Sequence, residues 1–252
     1  MTNKEILDIA MTQSAIDSNC DKSDFLKSEN VIAISEPNSK AKKYLNLPFY
    51  CGLTSYGGNI IVSVNPEIAD FVKKYLNNSE KGYSPFDRFE SPYFFELNKE
   101  LNKHDMQIQF MAEYFLPDVN LLIPRMCDYK LKILEQKDFA ELYRPEWSNA
   151  FCEKRKHLDV LGIGAYHSDK LIGLAGCCSA DCETICQIGV DFLPEYRRLG
   201  IASTLTTNLS IEILNRGKVP FYCCAWSNIK SVKNAIKSGF SLTWVQMTAR
   251  GI

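Results

Sequence analysis

The chain has 252 residues, of which 46% are hydrophobic and 23% charged, a composition typical of a globular protein with one large or two small domains. Its formal net charge of −1 argues against nucleic acid or an anionic membrane as a partner. The 10 cysteines lack the spacing of a secreted disulfide framework, the start of the chain is charged, and no apolar run is long enough to span a membrane. We therefore expect a cytoplasmic protein with free thiols.

The first half of the chain predicts a mixture of helices and strands. Thr2 and Glu5 have capping-box spacing before ILDIAMTQSAI, which indicates a helix. VIAIS predicts a strand, and the Gly57-Gly58 pair inside CGLTSYGGNIIVSV indicates a hairpin. Two helices, PEIADFVKKYLNN and SPYFFELNKELNKH, and the strand MQIQFMAEYFL follow. Prolines on both sides of VNLLI favour a boundary there, so residues 1–124 are predicted to form an N-terminal α/β domain.

The second half, residues 125–252, predicts the order β-α-β-β-β-α-β-α-β. The strand YKLKILEQ and the helix DFAELYRPEW come first, then a hairpin in VLGIGAYHSDKLIGLAGCCS and a third strand in ETICQIGVDFL. The helix IASTLTTNLSIEILNR is expected to end at Gly217. The strand VPFYCCAW, the short helix NIKSVKNAIKS and the strand FSLTWVQMTA complete the chain. The fold class is therefore α/β (α+β).

The stretch LPEYRRLGIASTL lies between a predicted strand and a predicted helix. A helix start presents unpaired N–H groups and a partial positive charge. Gly200 allows close approach to the backbone, Ala202 leaves the first turn uncluttered, and Arg197 and Arg198 add positive charge. The stretch thus predicts an anion-binding turn, with an ordinary strand-to-helix junction and solvated arginines as the alternative.

The surrounding segments resemble the acyl-CoA-binding motif of the GNAT superfamily of N-acyltransferases. The matching positions in VDFLPEYRRLGIA are Pro194, Arg197, Gly200 and Ala202, with Phe192 where the family has valine. Downstream, WSNIKSVKNAIKSGF is similar to the second family segment, with Asn228 ahead of a terminal Gly-Phe pair. The resemblance covers roughly residues 125–252, and the bacterial relatives that it points to are two-domain proteins. It implies a mixed, mostly antiparallel sheet flanked by helices.

The resemblance also implies acetyl-CoA as co-substrate. No metal is expected, because Cys178, Cys182 and Cys186 lie across a strand and a turn and lack the paired spacing of a zinc site. The pyrophosphate would lie on backbone N–H groups of the turn, and the pantetheine arm would lie along the preceding strand. The implied cofactor-binding residues are Val190, Asp191, Phe192, Arg197, Arg198, Leu199, Gly200, Ile201, Ala202, Ser203, Asn228 and Ser231.

The implied reaction is attack by a primary amine of a small molecule on the CoA thioester in a ternary complex. Glu183, with Asp181 beside it, and Asp191 are the candidate general bases, and strand alternation places Gln187 and Asp191 on one face. A capping or salt-bridge role for Asp191, and a reaction without a single base, remain open.

The position of the tyrosine acid found in many relatives is Ala235 here. Tyr222 is therefore the predicted substitute acid, with Cys224 as an alternative. The missing tyrosine also leaves open a non-catalytic acyl-CoA-binding sensor or scaffold. The N-terminal domain is expected to cap or shape the acceptor site, and a homodimer is left open.

Overall fold

The computed structural model describes residues 1–42, 44–77, 93–179 and 184–252. Its helices are α1 (Asn3–Ser18), α2 (Ala69–Asn77), α3 (Tyr93–Asn102), α4 (Ile201–Asn215) and α5 (Ile229–Lys237). Its strands are β1 (Val31–Ile34), β2 (Cys51–Ser55), β3 (Ile61–Val64), β4 (Met106–Pro117), β5 (Lys130–Leu134), β6 (Asp159–His167), β7 (Lys170–Cys178), β8 (Ile185–Phe192), β9 (Val219–Ala225) and β10 (Phe240–Gly251). None of these described helices is long and apolar enough to cross a membrane.

The chain forms two compact units. The first combines Met1–Ala10 with Phe115–Leu242, and the second combines Met11–Tyr114 with Thr243–Ile252. The unit boundaries fall inside β4 and β10, because each of these strands supplies residues to both units. The division into residues 1–124 and 125–252, and the capping role of the first part, stay predictions.

In the first unit the strand order is β10-β4-β9-β8-β7-β6-β5, with β10 and β4 represented by their ends. Strands β5 to β8 pair antiparallel, whereas β8 and β9 pair parallel and are joined through α4, since a parallel pair needs a crossover. Helix α4 buries Leu205, Leu209 and Ile213 against the sheet. Burial of each such side chain contributes about 1.5–3 kcal/mol. The predicted fold class is confirmed, with a mostly antiparallel sheet flanked by helices.

In the second unit the strand order is β1-β3-β2-β10-β4. Strand β2 pairs antiparallel with both β3 and β10, whereas β1 pairs parallel with β3. Val72 of α2 and Leu97 and Leu101 of α3 are buried in one apolar cluster with Leu53 and Val62 of the strands.

The capping box predicted at the start of α1, which itself divides between the units, is present: Thr2 Oγ1 accepts from Glu5 N at 3.3 Å, and Glu5 Oε2 accepts from Thr2 N at 2.7 Å.

The helix predicted for DFAELYRPEW is wrong. Short 3-10 turns stand there instead, at Gln136–Asp138, Ala140–Leu142 and Pro145–Trp147. Pro145 has no backbone N–H and forces Arg144 into an extended conformation, with φ −131° and ψ 156°, so an α-helix cannot continue through it. The chain between β5 and β6 is consequently irregular, which lets its backbone come close to the sheet.

Candidate active site

Strands β8 and β9 separate halfway along their length. Their parallel pairing runs from Ile185 opposite Val219 to Ile188 opposite Tyr222, and ends there although both strands continue. Over the same stretch the other edge of β8 remains paired with β7. The edge of residues 189–192 that points toward β9 is therefore not paired with that strand, and an extended ligand can form sheet-like hydrogen bonds with it.

The turn that follows β8 presents a group of unused backbone donors. Arg198 and Gly200 have φ values of 64° and 79°, in the left-handed region, and α4 begins at Ile201. Within the described part of the chain, no acceptor is bonded to any backbone N–H from Arg198 to Ser203. The N–H of Arg197 differs, because it donates to Pro194 O at 3.3 Å. Unpaired N–H groups at the positive end of a helix favour a bound anion.

The turn borders a cleft with two basic side chains. The cleft has a volume of about 420 Å³, and its lining residues are Arg125, Met126, Cys127, Asp128, Tyr129, Leu199, Gly200, Ser203, Thr204 and Lys237. The Arg125 guanidinium donates to Lys237 O at 2.5 Å, which fixes it at this edge of the cleft. With the Asp128 carboxylate, these two cations leave the lining with a net positive charge, which adds to the positive potential of the helix start and suits a phosphate-bearing ligand.

Three of the sequence-predicted residues meet at the start of α5. The Asn228 side chain accepts from Ser231 N at 3.2 Å and caps the helix, and the Tyr222 hydroxyl lies 2.9 Å from Ser231 Oγ. Burial raises the pKa of the Tyr222 hydroxyl above its ordinary value, so the group keeps its proton at neutral pH. Tyr222 stands at the last paired position before the strands separate, which suits it to donate a proton there.

Ala235 occupies a position with no room for a large side chain. Its side chain is fully buried, in the same apolar cluster as Tyr222 and Phe240. A tyrosine at this α5 position would have to displace that packing. A small residue, Ala235 on α5, thus packs in the same cluster as a large one, Tyr222 on the neighbouring strand β9.

Asp191 does not present a free carboxylate. Its Oδ2 accepts from Asn149 N at 2.8 Å and Ala150 N at 2.9 Å, and its Oδ1 accepts from Asn149 Nδ2 at 2.6 Å. The Gln187 side chain, expected on the same face, donates from Nε2 to Cys223 Sγ at 3.1 Å. To act as a general base Asp191 would have to give up these bonds, so its contacts favour the capping role that the sequence left open.

The other predicted strand residues, Val190 and Phe192, alternate with Asp191 along β8. Val190 packs against the apolar cluster under α4, and Phe192, paired with Gly173, is partly buried next to the turn. Glu183 and Asp181 lie outside the described residues.

Sequence reasoning missed the segment that covers the opposite face of β8, residues 149–152. It also missed Asp159, the first residue of β6, which is only 2% exposed and accepts from Cys152 N at 3.2 Å. Burial raises the pKa of Asp159 to about 6. The one sequence feature that points to this loop is a glycine in each of β6, β7 and β8. The strand pattern alone does not show that these glycines lie side by side in the sheet.

Comparison with known families gives one extensive match. The sequence model described as GNAT acetyltransferase matches residues 36–244. A comparison with curated proteins gave no match.

Solved structures to which the chain is similar include proteins from several bacteria. A GNAT-family protein from Novosphingobium aromaticivorans is 18% identical with a TM-score of 0.44; the match covers 57% of this chain and 66% of that one, just under two thirds of its length. A GCN5-related N-acetyltransferase-like protein from Streptococcus suis is 19% identical, with a TM-score of 0.46 and coverage of 64% and 69%. An acetyltransferase from the GNAT family from Colwellia psychrerythraea is 15% identical, with a TM-score of 0.45 and coverage of 82% and 84%. At these low identities, family membership rests on the family match.

Proposed function

Because this chain belongs to the GNAT acetyltransferase family, in which an acyl-CoA supplies the transferred acetyl group, we propose that it is an N-acetyltransferase that acetylates a primary amine of a small molecule. The observation that carries the proposal is the set of unused backbone donors from Arg198 to Ser203, next to the point where β8 and β9 separate. The turn can bind an anion, and the edge of β8 that is not paired with β9 can bind an extended chain. A long thioester with a phosphate-bearing end requires both features.

The cofactor is held mainly by backbone. We assign the pyrophosphate to the N–H groups from Arg198 to Ser203, with the Arg197 side chain adding charge. The pantetheine arm is assigned to the free edge of Val190, Asp191 and Phe192. Asn228 and Ser231 border the opening from the α5 side, where the Asn228 side-chain oxygen is already used for capping.

A protein group can be assigned to each chemical step of the proposed transfer. The amine must be neutral when it attacks the thioester carbonyl, so its proton passes to a base, for which we retain Glu183 because Asp191 is already bonded to three donors. The carbonyl oxygen gains negative charge, which a strand N–H near the separation point stabilises. The CoA thiolate leaves and takes a proton from the Tyr222 hydroxyl.

A transfer assay tests this directly. Purified protein is incubated with acetyl-CoA and a panel of primary amines, polyamines and amino compounds, and released CoA thiol is followed together with the mass of the acetylated amine. We expect thiol release that depends on one class of amine. Acetyl-CoA binding without transfer to any amine would favour the sensor or scaffold alternative, which the buried Ala235 motivates. Absence of acetyl-CoA binding would reject both.

A further inference from the structure

A row of three glycines lets a loop rest directly on the sheet backbone. Gly162 pairs with Gly176, and Gly176 with Gly189, across β6, β7 and β8. A Cβ atom built on Gly189 would lie 1.7 Å from Asn149 O, and one on Gly176 would lie 2.3 Å from Ala150 O. One on Gly162 would lie 2.8 Å from the Phe151 ring. No side chain fits at these positions while the segment Asn149–Phe151 stays where it is.

Two carboxylates hold this segment from either side of β7. Asp191 of β8 accepts both backbone N–H groups of Asn149 and Ala150, together with the Asn149 side-chain amide. Asp159 of β6 accepts the N–H of Cys152. Hydrogen bonds to an ionised carboxylate are stronger than neutral ones, so the position of the loop is well determined.

The segment lies at the reactive end of the proposed site. Ile188 is the last residue of β8 that pairs with β9, and Gly189 follows it directly. Ile188 and Val190 point toward the α4 cluster, so Gly189 and Asp191 point to the other side, where Asn149 lies. Ser148 and Asn149 are exposed, and Asn149 Oδ1 accepts no hydrogen bond from the described residues. An amine that approaches from this side meets that surface.

We propose, on the basis of the proposed acetyl transfer, that Asp191 is a positioning residue that holds Asn149–Phe151 as the wall of the acceptor site. Asn149 Oδ1 accepts a hydrogen bond from the incoming amine, and the wall selects which amines approach the thioester. Asp191 takes no proton in the reaction. Its carboxylate acts through Asn149 and Ala150.

Three variants separate this role from that of a base. Asp191→Ala removes all three hydrogen bonds. Asp191→Asn keeps an oxygen for the two backbone N–H groups but sets one amide nitrogen against another. Asp191→Asn combined with Asn149→Asp reverses the side-chain bond, so the loop is held again although position 191 no longer carries a carboxylate. Asp118→Ala is the matched control, since Asp118 accepts from the Asn3 side chain and from Asn120 N in the same unit.

Steady-state kinetics and amide hydrogen exchange are measured on the full chain. In Asp191→Ala we expect the KM for the amine to rise about tenfold or more while the KM for acetyl-CoA stays within about twofold. The amides of Asn149 and Ala150 should exchange faster. The reversed pair should recover slow exchange, and Asp118→Ala should change neither the exchange nor either KM.

The outcomes distinguish this inference from the proposed function. If the wild-type chain acetylates no amine, the proposed function fails. Hydrogen exchange then still tests the inference: unchanged exchange of the Asn149 and Ala150 amides in Asp191→Ala overturns it. Faster exchange in that variant, restored to the wild-type rate in the reversed pair, supports the holding role of Asp191. In an active enzyme, an Asp191→Asn variant that loses kcat together with the acidic limb of the pH profile would make Asp191 a base and overturn the inference. An unchanged amine KM in Asp191→Ala would do the same. If that variant fails to fold, Asp191→Asn and the reversed pair carry the test.

Discussion

The two faces of strand β8 are packed in different ways. On one face Ile188 and Val190 meet side chains of α4, in an apolar cluster that includes Ile201 and Leu205. On the other face Gly189 has no side chain, and the backbone of Asn149 lies directly on it. Side-chain packing adapts to small changes by shifting rotamers, whereas backbone on backbone has no such freedom. We call the two sides the α4 face and the loop face, the latter being the side on which Asn149–Phe151 rests. We expect the loop face to tolerate substitution less than the α4 face.

The largest expected effect is that of Gly189→Ala. The new Cβ atom would fall 1.7 Å from Asn149 O, so the loop or the strand must move. We expect a loss of about 3 kcal/mol or more in the free energy of unfolding, measured by urea denaturation. Gly58→Ala is the control, because its Cβ atom has no neighbour closer than 3.8 Å, and we expect a change within about 0.5 kcal/mol. Equal stabilities for the two variants would remove the distinction between the faces.

On the α4 face, Tyr222→Phe tests the proposed acid. Loss of the hydroxyl should lower kcat by about 10²-fold, since general acid catalysis contributes on that scale. Tyr56→Phe is the control: Tyr56 is half-buried, and its hydroxyl lies 2.8 Å from Ser14 Oγ, as that of Tyr222 lies 2.9 Å from Ser231 Oγ. The two variants should lose similar stability, but only the first should lose turnover. Wild-type kcat in Tyr222→Phe would assign the acid elsewhere.

On the loop face, Asp159→Asn should change how stability depends on pH. With a pKa of about 6, raised by burial, the folded chain keeps a proton that the unfolded chain releases from about pH 4 upward. Stability from this group is therefore present at low pH and falls as pH rises to about 6. Asparagine has no such proton, so the variant should gain about 1–2 kcal/mol relative to wild type between pH 4 and pH 7.

Asp138→Asn is the control for this pH effect. Acceptance of the Glu135 backbone N–H holds the pKa of Asp138 below its usual range, so its contribution is present at neutral pH and lost on acidification. The stability of this variant relative to wild type should thus change in the opposite direction. A pH-independent difference between Asp159→Asn and wild type, from urea denaturation across this range, would contradict the burial of an ionisable carboxylate under the loop.

The smallest expected effect is that of Ile188→Val on the α4 face. Removal of one methyl group should cost about 0.5–1.5 kcal/mol, and acetyl-CoA binding should be little changed. Urea denaturation and calorimetric titration check this. A loss as large as that of Gly189→Ala would mean that both faces are equally intolerant.

The face of β8 that is packed by side chains could be predicted from the sequence, because alternation and the turn at Gly200 carry recognisable residue types. The loop face could not. Gly162, Gly176 and Gly189 lie far apart in the chain, and only the strand register brings them into one row. The segment DFAELYRPEW has the apolar pattern of a helix, but Pro145 within it holds Arg144 extended and prevents one. Asp191 is recognisable in the sequence as a carboxylate within an apolar strand, whereas its partners Asn149 and Ala150 belong to a loop without a sequence pattern.

The central claim is that the start of α4 binds acetyl-CoA through its backbone, and calorimetric titration of two valine variants tests it most directly. Gly200 and Gly217 flank the two ends of α4 with φ values of 79° and 78°, and neither has an atom within 4 Å of a Cβ position. Valine should therefore strain both backbones similarly. We predict that Gly200→Val weakens acetyl-CoA binding by about 10²-fold or more, while Gly217→Val binds within about threefold of wild type. Equal binding by the two variants, or no binding by the wild-type chain, would contradict the claim.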